Sequence, residues 1–307
     1  ASNLQPDMVW IKCRSGTHAT ENHNLFDSVR GVNKFAITNG TTAANSTDTN
    51  SLTAFNSDGF SLGTRTDVNG SGAYVGWQWK ESATAGFDIV SFTGNSSDGA
   101  TTQDISHSLS AVPHWIIVKN GADSTNWAVY HKANTSSPET EVIYLNLTNA
   151  TADDNAFFGD TAPTSSQFRV GGDNSVNGNS DSMIAYLWSE KQGFSKFGSF
   201  TGNGNADGPF VYTGFKPAWV MAKRTGTSGQ NWEIHDNKRP EYNSSSKRLW
   251  ANLSNAEATE DPYLDLVSNG FKIKTSDTNY NASDSYIYMA FAESPFVNSN
   301  GIPNNAR

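Results

Sequence analysis

His131 and His235 each close a phrase that begins with Asn-Trp: Asn126-Trp127-Ala128-Val129-Tyr130-His131 and Asn231-Trp232-Glu233-Ile234-His235. An imidazole in the same strand slot of two copies could line a shared ligand pocket. It could also end a strand with a hydrogen bond, which is the expected role. Tyr242 and Trp250 lie beside Arg239 and Arg248, a combination suited to stacking on a sugar or docking on a protein surface. These six residues are the ligand-binding candidates. Glycoside hydrolysis would need two carboxyl groups held at a fixed separation. Asp153/Asp154, Glu139/Glu141, Glu257/Glu260/Asp261 and Asp265 could supply them, but none recurs elsewhere in the chain. No Gly-x-Ser-x-Gly elbow precedes a helix. The chain is therefore expected not to be an enzyme, a polysaccharide depolymerase being the alternative.

Metal chemistry is expected to be absent. His18 and His23 sit in a loop beside Glu21, and no histidine pair has the i, i+4 spacing of a zinc helix. Cys13 is the only cysteine, which rules out an intramolecular disulfide and a cysteine-based zinc site; a packed, inert thiol is expected. Asp153-Asp154-Asn155 and Asp173-Asn174 offer oxygen ligands in loops, so calcium is conceivable, but the chain has no EF-hand and no cofactor is expected.

The elements that must carry these residues repeat. Pro6-Asp7-Met8-Val9-Trp10-Ile11-Lys12 returns as Pro113-His114-Trp115-Ile116-Ile117-Val118-Lys119 and again as Pro217-Ala218-Trp219-Val220-Met221-Ala222-Lys223, at intervals of 107 and 104 residues. Later markers keep step, ending in Gly72–Lys80, Asp181–Glu190 and Ser285–Glu293. Trp10, Trp115 and Trp219 are assigned to one core slot, and Trp77/Trp79 and Trp188 to another. In the first copy the Asn-Trp slot reads as Asn24-Leu25. Gly86-Phe87…Ser91-Phe92-Thr93-Gly94-Asn95 and Gly193-Phe194…Ser199-Phe200-Thr201-Gly202-Asn203 open the second and third copies. The first copy has no such opening: either an upstream part is missing or belongs to a longer polypeptide, or another segment supplies that strand, the tail containing Phe296 and Val297 being one candidate.

Most markers are short β-branched or aromatic runs between Asn-Gly and Asp-Gly turn formers. Only Ser254–Asp261 reads as helical. With 33 Asn, 37 Ser and 28 Thr against 17% charged residues, the surface suits strands joined by many turns. The expected fold is all-β: three related antiparallel β-sandwich (jelly-roll-like) modules of about 105 residues. They span residues 1–83, 84–191 and 192–307, the first lacking its opening strand and the last carrying the tail. They form either a row of beads or a ring about a pseudo-threefold axis. A net charge of −9 without a basic cluster argues against nucleic acid. No apolar run approaches the ~20 residues of a helical membrane span.

Several phrases together resemble a repeat in tail-fibre or adhesin-like virion proteins of tailed bacteriophages, especially of marine and cyanobacterial hosts. They are Pro6–Lys12, Leu25-Phe26-Asp27-Ser28-Val29-Arg30-Gly31, Phe55–Phe60, Phe92–Asn95, Asn126–His131, Tyr288–Phe296 and the ending Gly301–Arg307. The resemblance implies a virion-surface appendage that binds host glycan or protein. It implies assembly with other virion proteins and with copies of itself, a trimer being favoured. A purely structural fibre, decoration or stalk protein is the alternative. The resemblance carries over no catalytic residue.

Overall fold

Strand Trp115–Asn120 shows why the apolar runs are continuous: all six of its residues are buried. Trp115 and Ile117 face one core while Ile116 and Val118 face another. A strand covered on both sides needs no polar alternation. The computed structural model describes residues 4–240 and 242–292, and the backbone of 296–297 and 303–304.

Three units follow one another. The first holds β1 Met8–Ser15, β2 Asn24–Asp27, β3 Lys34–Ile37, β4 Ser46–Thr47, β5 Leu52–Asn56, β6 Gly59–Leu62, α1 Thr66–Asn69 and β7 Ala73–Trp79. The second holds β8 Phe87–Thr93, β9 Gln103–Ser106, β10 Trp115–Asn120, β11 Ala128–His131, β12 Glu141–Tyr144, β13 Ala152–Asp153, α2 Asn155–Phe158, β14 Gln167–Val170, α3 Asn174–Asn177 and β15 Ser182–Trp188. The third holds β16 Ser195–Thr201, β17 Phe210–Tyr212, β18 Pro217–Arg224, β19 Glu233–Asp236, β20 Lys247–Trp250, β21 Ala258–Thr259, β22 Leu264–Val267, β23 Gly270–Ile273, α4 Thr278–Asn281 and β24 Ser285–Ala292. β25 Phe296–Val297 and β26 Pro303–Asn304 follow it.

Each unit is an unequal antiparallel sandwich. The main sheets run β13-β12-β11-β10-β15-β8 in the second unit and β21-β20-β19-β18-β24-β16 in the third. The first unit has the same order, β4-β3-β2-β1-β7, and among the described residues stops one strand short. The small sheets β5-β6, β14-β9 and β17-β23-β22 cover the outer faces, over separate cores containing Phe26, Phe168 and Phe271. The inner faces of all three main sheets share one aromatic-rich core that includes Trp10, Trp115, Trp127, Trp219 and Trp232. The units therefore pack around a common centre, not as beads in a row.

Strand register corrects four readings. Met8, Trp115 and Trp219 are the equivalents, opposite Trp79, Trp188 and Phe291. Trp10 lies two residues further on, on the same face, opposite Trp77. Asn22-His23, not Asn24-Leu25, matches the two Asn-Trp pairs: the His23 amide donates to Asn39 Oδ1 as those of Trp127 and Trp232 donate to Asn146 and Asn252, each at 2.9 Å. Each receiving Asn in turn donates to the Asn before the repeated position, Asn22, Asn126 or Asn231. Ser254–Asp261 forms no helix and contains β21. The tail strand β25 pairs with β26 rather than with β7.

The seams between units are cyclic. The Tyr186 hydroxyl donates to Asp27 at 2.6 Å, first unit to second. His131 Nε2 lies 3.1 Å from the Tyr288 carbonyl, second to third. Trp77 Nε1 donates to Asp236 at 3.0 Å, third to first. Three backbone bonds repeat the same order: Asn45 N to Gly121 O, Thr151 N to Thr225 O and Glu257 N to Arg14 O. Indole groups add further ties, Trp127 Nε1 to Ile37 O at 2.9 Å and Trp232 Nε1 to Tyr144 O at 2.8 Å. These buried donors and acceptors satisfy one another across the ring, as burial in an apolar core requires.

Three of the four-residue helices, α1, α3 and α4, end in an Asn that forms a second repeated polar device. Asn177 Oδ1 accepts from the Asn95 amide, and Nδ2 reaches Asn95 Oδ1 and the carbonyls of Thr101 and Gly171. Asn281 does the same with Asn203, Asn205 and Thr275. Both are fully buried. Their counterpart Asn69 keeps the bond to the Gly63 carbonyl, at 2.7 Å, and is exposed. Asn177→Ala and Asn281→Ala are each expected to cost about 2–3 kcal/mol, because they strand buried partners, whereas Asn69→Ala stays within about 0.5 kcal/mol. Urea unfolding of the three variants checks the contrast, and equal costs would refute it.

Candidate functional site

The six ligand candidates do not form one surface patch. His131 and His235 differ by one register position: His131 pairs with Trp115, whereas His235 pairs with Val220 and Asp236 takes the place opposite Trp219. One residue of slip in a strand puts a side chain on the opposite face. His131 packs edge-on against Trp115 in the common core, ring centroids 4.8 Å apart, and burial lowers its pKa to about 3. His235 stacks on Tyr263 in the outer core of the third unit. The two share no pocket.

Arg239 is buried and pairs with Asp236 at 2.6 Å and Glu257 at 3.3 Å. Arg248 reaches Asp277 at 3.1 Å and Glu260 at 2.8 Å, with its guanidinium over the rings of Trp250 and Tyr263. Tyr242, 81% exposed, is the only one of the six on open surface.

Around Arg248 lies a polar cluster that the sequence did not show. Glu233 is fully buried. It accepts from the Tyr263 hydroxyl at 2.7 Å and from Trp250 Nε1 at 3.2 Å, and lies 3.6 Å from His235 Nε2. Burial lowers the His235 pKa, with the Glu233 carboxylate pulling the other way. The corresponding positions of the second unit hold Ala128 and Tyr130 over an apolar core. The cluster is an interior ion network built on Glu233 and Arg248, in which both His235 ring nitrogens lack a hydrogen-bond partner.

Most of the calcium and hydrolase candidates also have internal partners. Asp154, Asp173 and Asp277 each cap a four-residue helix by accepting from the amide two residues on, the usual work of an N-cap carboxylate. Glu257 ties Arg14, at 3.1 Å, to the third unit. Asp265 pairs with Lys274. Among the described residues no three His, Cys, Asp or Glu side chains are grouped to hold a metal. Cys13 is buried.

A large concave site lies among the described residues. A cavity of about 640 Å³ lies between the first and third units, along Val75–Lys80 of β7 and walled by Trp77, Trp79, Phe194, Trp219 and Phe291. The aromatic walls are mutually packed: Trp79 meets Trp219 at 5.6 Å and Phe291 at 5.9 Å. Mostly apolar clefts with few polar groups are the usual setting for ligands, and among the described lining residues no nucleophile stands beside a base. A family profile described as a domain of unknown function (DUF7483) matches residues 1–295. The chain belongs to this family. No curated protein and no solved structure matches it.

This DUF7483 chain also carries an acidic clasp where its first two units join. Asp7 accepts from the Glu81 amide at 2.8 Å, and Asp88 accepts from the amides of Ile89 and Ser108. Burial, and then the hydrogen bond and charge of Asp88, raise the Glu81 pKa to about 7. Sequence alone gives no sign of it, because Glu81 and Asp88 meet only when β7 and β8 fold into different sheets.

Proposed function

We propose that this chain is a structural and binding module of a virion-surface appendage in a tailed bacteriophage, a tail fibre or receptor-binding adhesin. Two things support this reading: the resemblance of its repeated phrases to such proteins, and the way it uses its reactive side chains. The observation that carries it is the cyclic seam. Asp27, Asp236, His131, Arg30 and Arg239, the groups from which a catalytic site could be built, all serve to close three sheets around one aromatic core. Three related units about one centre also give a single chain a threefold-like face that can join the axis of a trimeric fibre coaxially.

Recognition of host glycan or protein then falls to the loops outside the sheets, where Tyr242 is exposed. A second reading, a connector without a ligand of its own, is favoured by the open strand edge beside the 640 Å³ cavity, since an edge of that kind joins polypeptides. Immunogold labelling of virions that carry the chain, paired with binding of the purified chain to host cells, tests both readings. Label on an appendage together with cell binding supports the adhesin, and label on an appendage without cell binding supports the connector. Absence of label from every part of the particle overturns the proposal.

A further inference from the structure

In the second and third units the last strand of the main sheet is an apolar one, paired on its outer edge by the opening strand. β8 lies on β15 from Thr93 opposite Ser182 to Phe87 opposite Trp188. β16 lies on β24 from Thr201 opposite Ser285 to Ser195 opposite Phe291. In the first unit the equivalent strand is β7, and among the described residues it pairs only with β1.

The exposure of the three strands follows from this pairing. β15 is buried at every position after Ser182, and β24 from Tyr286 to Phe291, whereas in β7 only Trp77 is buried. The 640 Å³ cavity runs along the same edge. A long apolar edge with unpaired amides and carbonyls is a template for another strand.

We propose that the outer edge of β7 is a strand-acceptor site. It takes, antiparallel, an extended segment of a partner polypeptide with the pattern large apolar–x–Ser–Phe–Thr–Gly–Asn. The pattern follows from the two filled sites position by position. Trp77 stands where Tyr186 faces Ile89 and Met289 faces Phe197, so a large apolar side chain fits opposite it. Val75 stands where Ile184 faces Ser91 and Ile287 faces Ser199, where a small residue leaves room.

Tyr74 stands where Tyr286 stacks on Phe200, centroids 4.8 Å apart and planes 5° from parallel. Its hydroxyl bonds Gly70 N and Thr66 O as that of Tyr286 bonds Ala282 N and Thr278 O. The ring is therefore held in the same place and is only partly covered, so a phenylalanine fits on it. The glycine is required by close approach: a Cβ on Gly94 or Gly202 would collide with the carbonyl oxygen of Gly178 or Ala282. The final Asn supplies what Asn69 lacks. Asn95 and Asn203 fill that place against Asn177 and Asn281, and Asn69 is exposed with its geometry toward Gly63 intact.

The test uses the 307-residue chain and a fluorescent peptide with the sequence of Phe87–Ser96. Saturable binding is expected, with new hydrogen-exchange protection confined to residues 69–79. A peptide carrying Ala in place of Phe92 should bind at least about tenfold more weakly, the equivalent of the lost ring contact and buried area. Absence of saturable binding at millimolar peptide overturns the proposal. So does protection that falls elsewhere, or equal affinity of the alanine peptide. If the chain alone forms a dimer whose β7 amides are already protected, the occupant is a second copy pairing edge to edge, and the proposed partner strand is ruled out.

Discussion

Asp27→Ala is expected to lower the unfolding free energy by about 3–5 kcal/mol, the cost of leaving a buried cation without its partner. Arg30 has a side chain only 4% exposed, and its Nε lies 2.5 Å from Asp27. The same carboxylate accepts from the Arg30 amide and from the Tyr186 hydroxyl across the seam to the second unit. Removing it strands a guanidinium and a phenol at once. Asp27→Ala combined with Arg30→Met is expected to recover most of the loss, because removing both charges lets apolar side chains fill the site. Asp236→Ala should cost less than Asp27→Ala, because Arg239, 2% exposed, keeps Glu257 at 3.3 Å while Trp77 loses its acceptor. Guanidinium unfolding of the single and double variants measures this. A single-variant cost under 1 kcal/mol, or a double variant no better than the single, would show that the pair does not hold the seam.

The strands and the phrases that repeat them were legible because their apolar runs are short, β-rich and fenced by turn formers. The single-sided pairing of β7 among the described residues is in line with the sequence, where Phe-Thr-Gly-Asn occurs twice and not before the first copy. Register was not legible. Trp232-Glu233-Ile234-His235 reads like Trp127-Ala128-Val129-Tyr130-His131 with one residue deleted, yet in the sheet Asp236, not His235, matches His131. A period of two turns a single-residue slip into a change of face, and nothing local marks it. Arg239 looked like a surface residue because the groups that close over its ion pairs are remote: Trp77 reaches Asp236, and Arg14 reaches Glu257; Arg248 is likewise held by Glu233 and Asp277, distant in sequence. The helices were missed because four residues are too few for a 3.6-residue period to show. Their Asp caps at Asp154, Asp173 and Asp277 were the readable signal; the first two read as loop carboxylates that could ligate calcium, and Asp277 did not stand out.

Raising the pH from 8 toward 10 is expected to stabilise the fold. Lys12, Lys119 and Lys223 occupy one repeated strand-end position and all are fully buried. Their ammonium groups bond turn carbonyls: Lys12 reaches Cys13 and Ala19, Lys119 reaches Asn120 and Asp123, and Lys223 reaches Arg224. Burial lowers each pKa to about 8. In the unfolded chain the value returns to about 10.5, so between these limits the unfolded state binds more protons and stability rises with pH. The gain is complete above the unfolded value and lost as pH falls through 8, with a ceiling of about 3 kcal/mol per lysine. Tyrosines act oppositely: burial pushes the half-buried Tyr144 and the buried Tyr286 up to about 12, so stability falls once unfolded tyrosines ionise above about 10. A maximum near pH 10 follows. Lys119→Met removes one titration and should flatten the slope between pH 8 and 10 by about a third, whatever it does to absolute stability through the carbonyls it leaves unpaired. Denaturant midpoints across that range read the slope directly. A flat or falling wild-type profile, or an unchanged slope in Lys119→Met, would mean that the three ammonium groups are solvated by their carbonyls well enough to keep an ordinary pKa. The lysines would then be turn clamps without a desolvation cost, and the repetition of the site would reflect geometry alone.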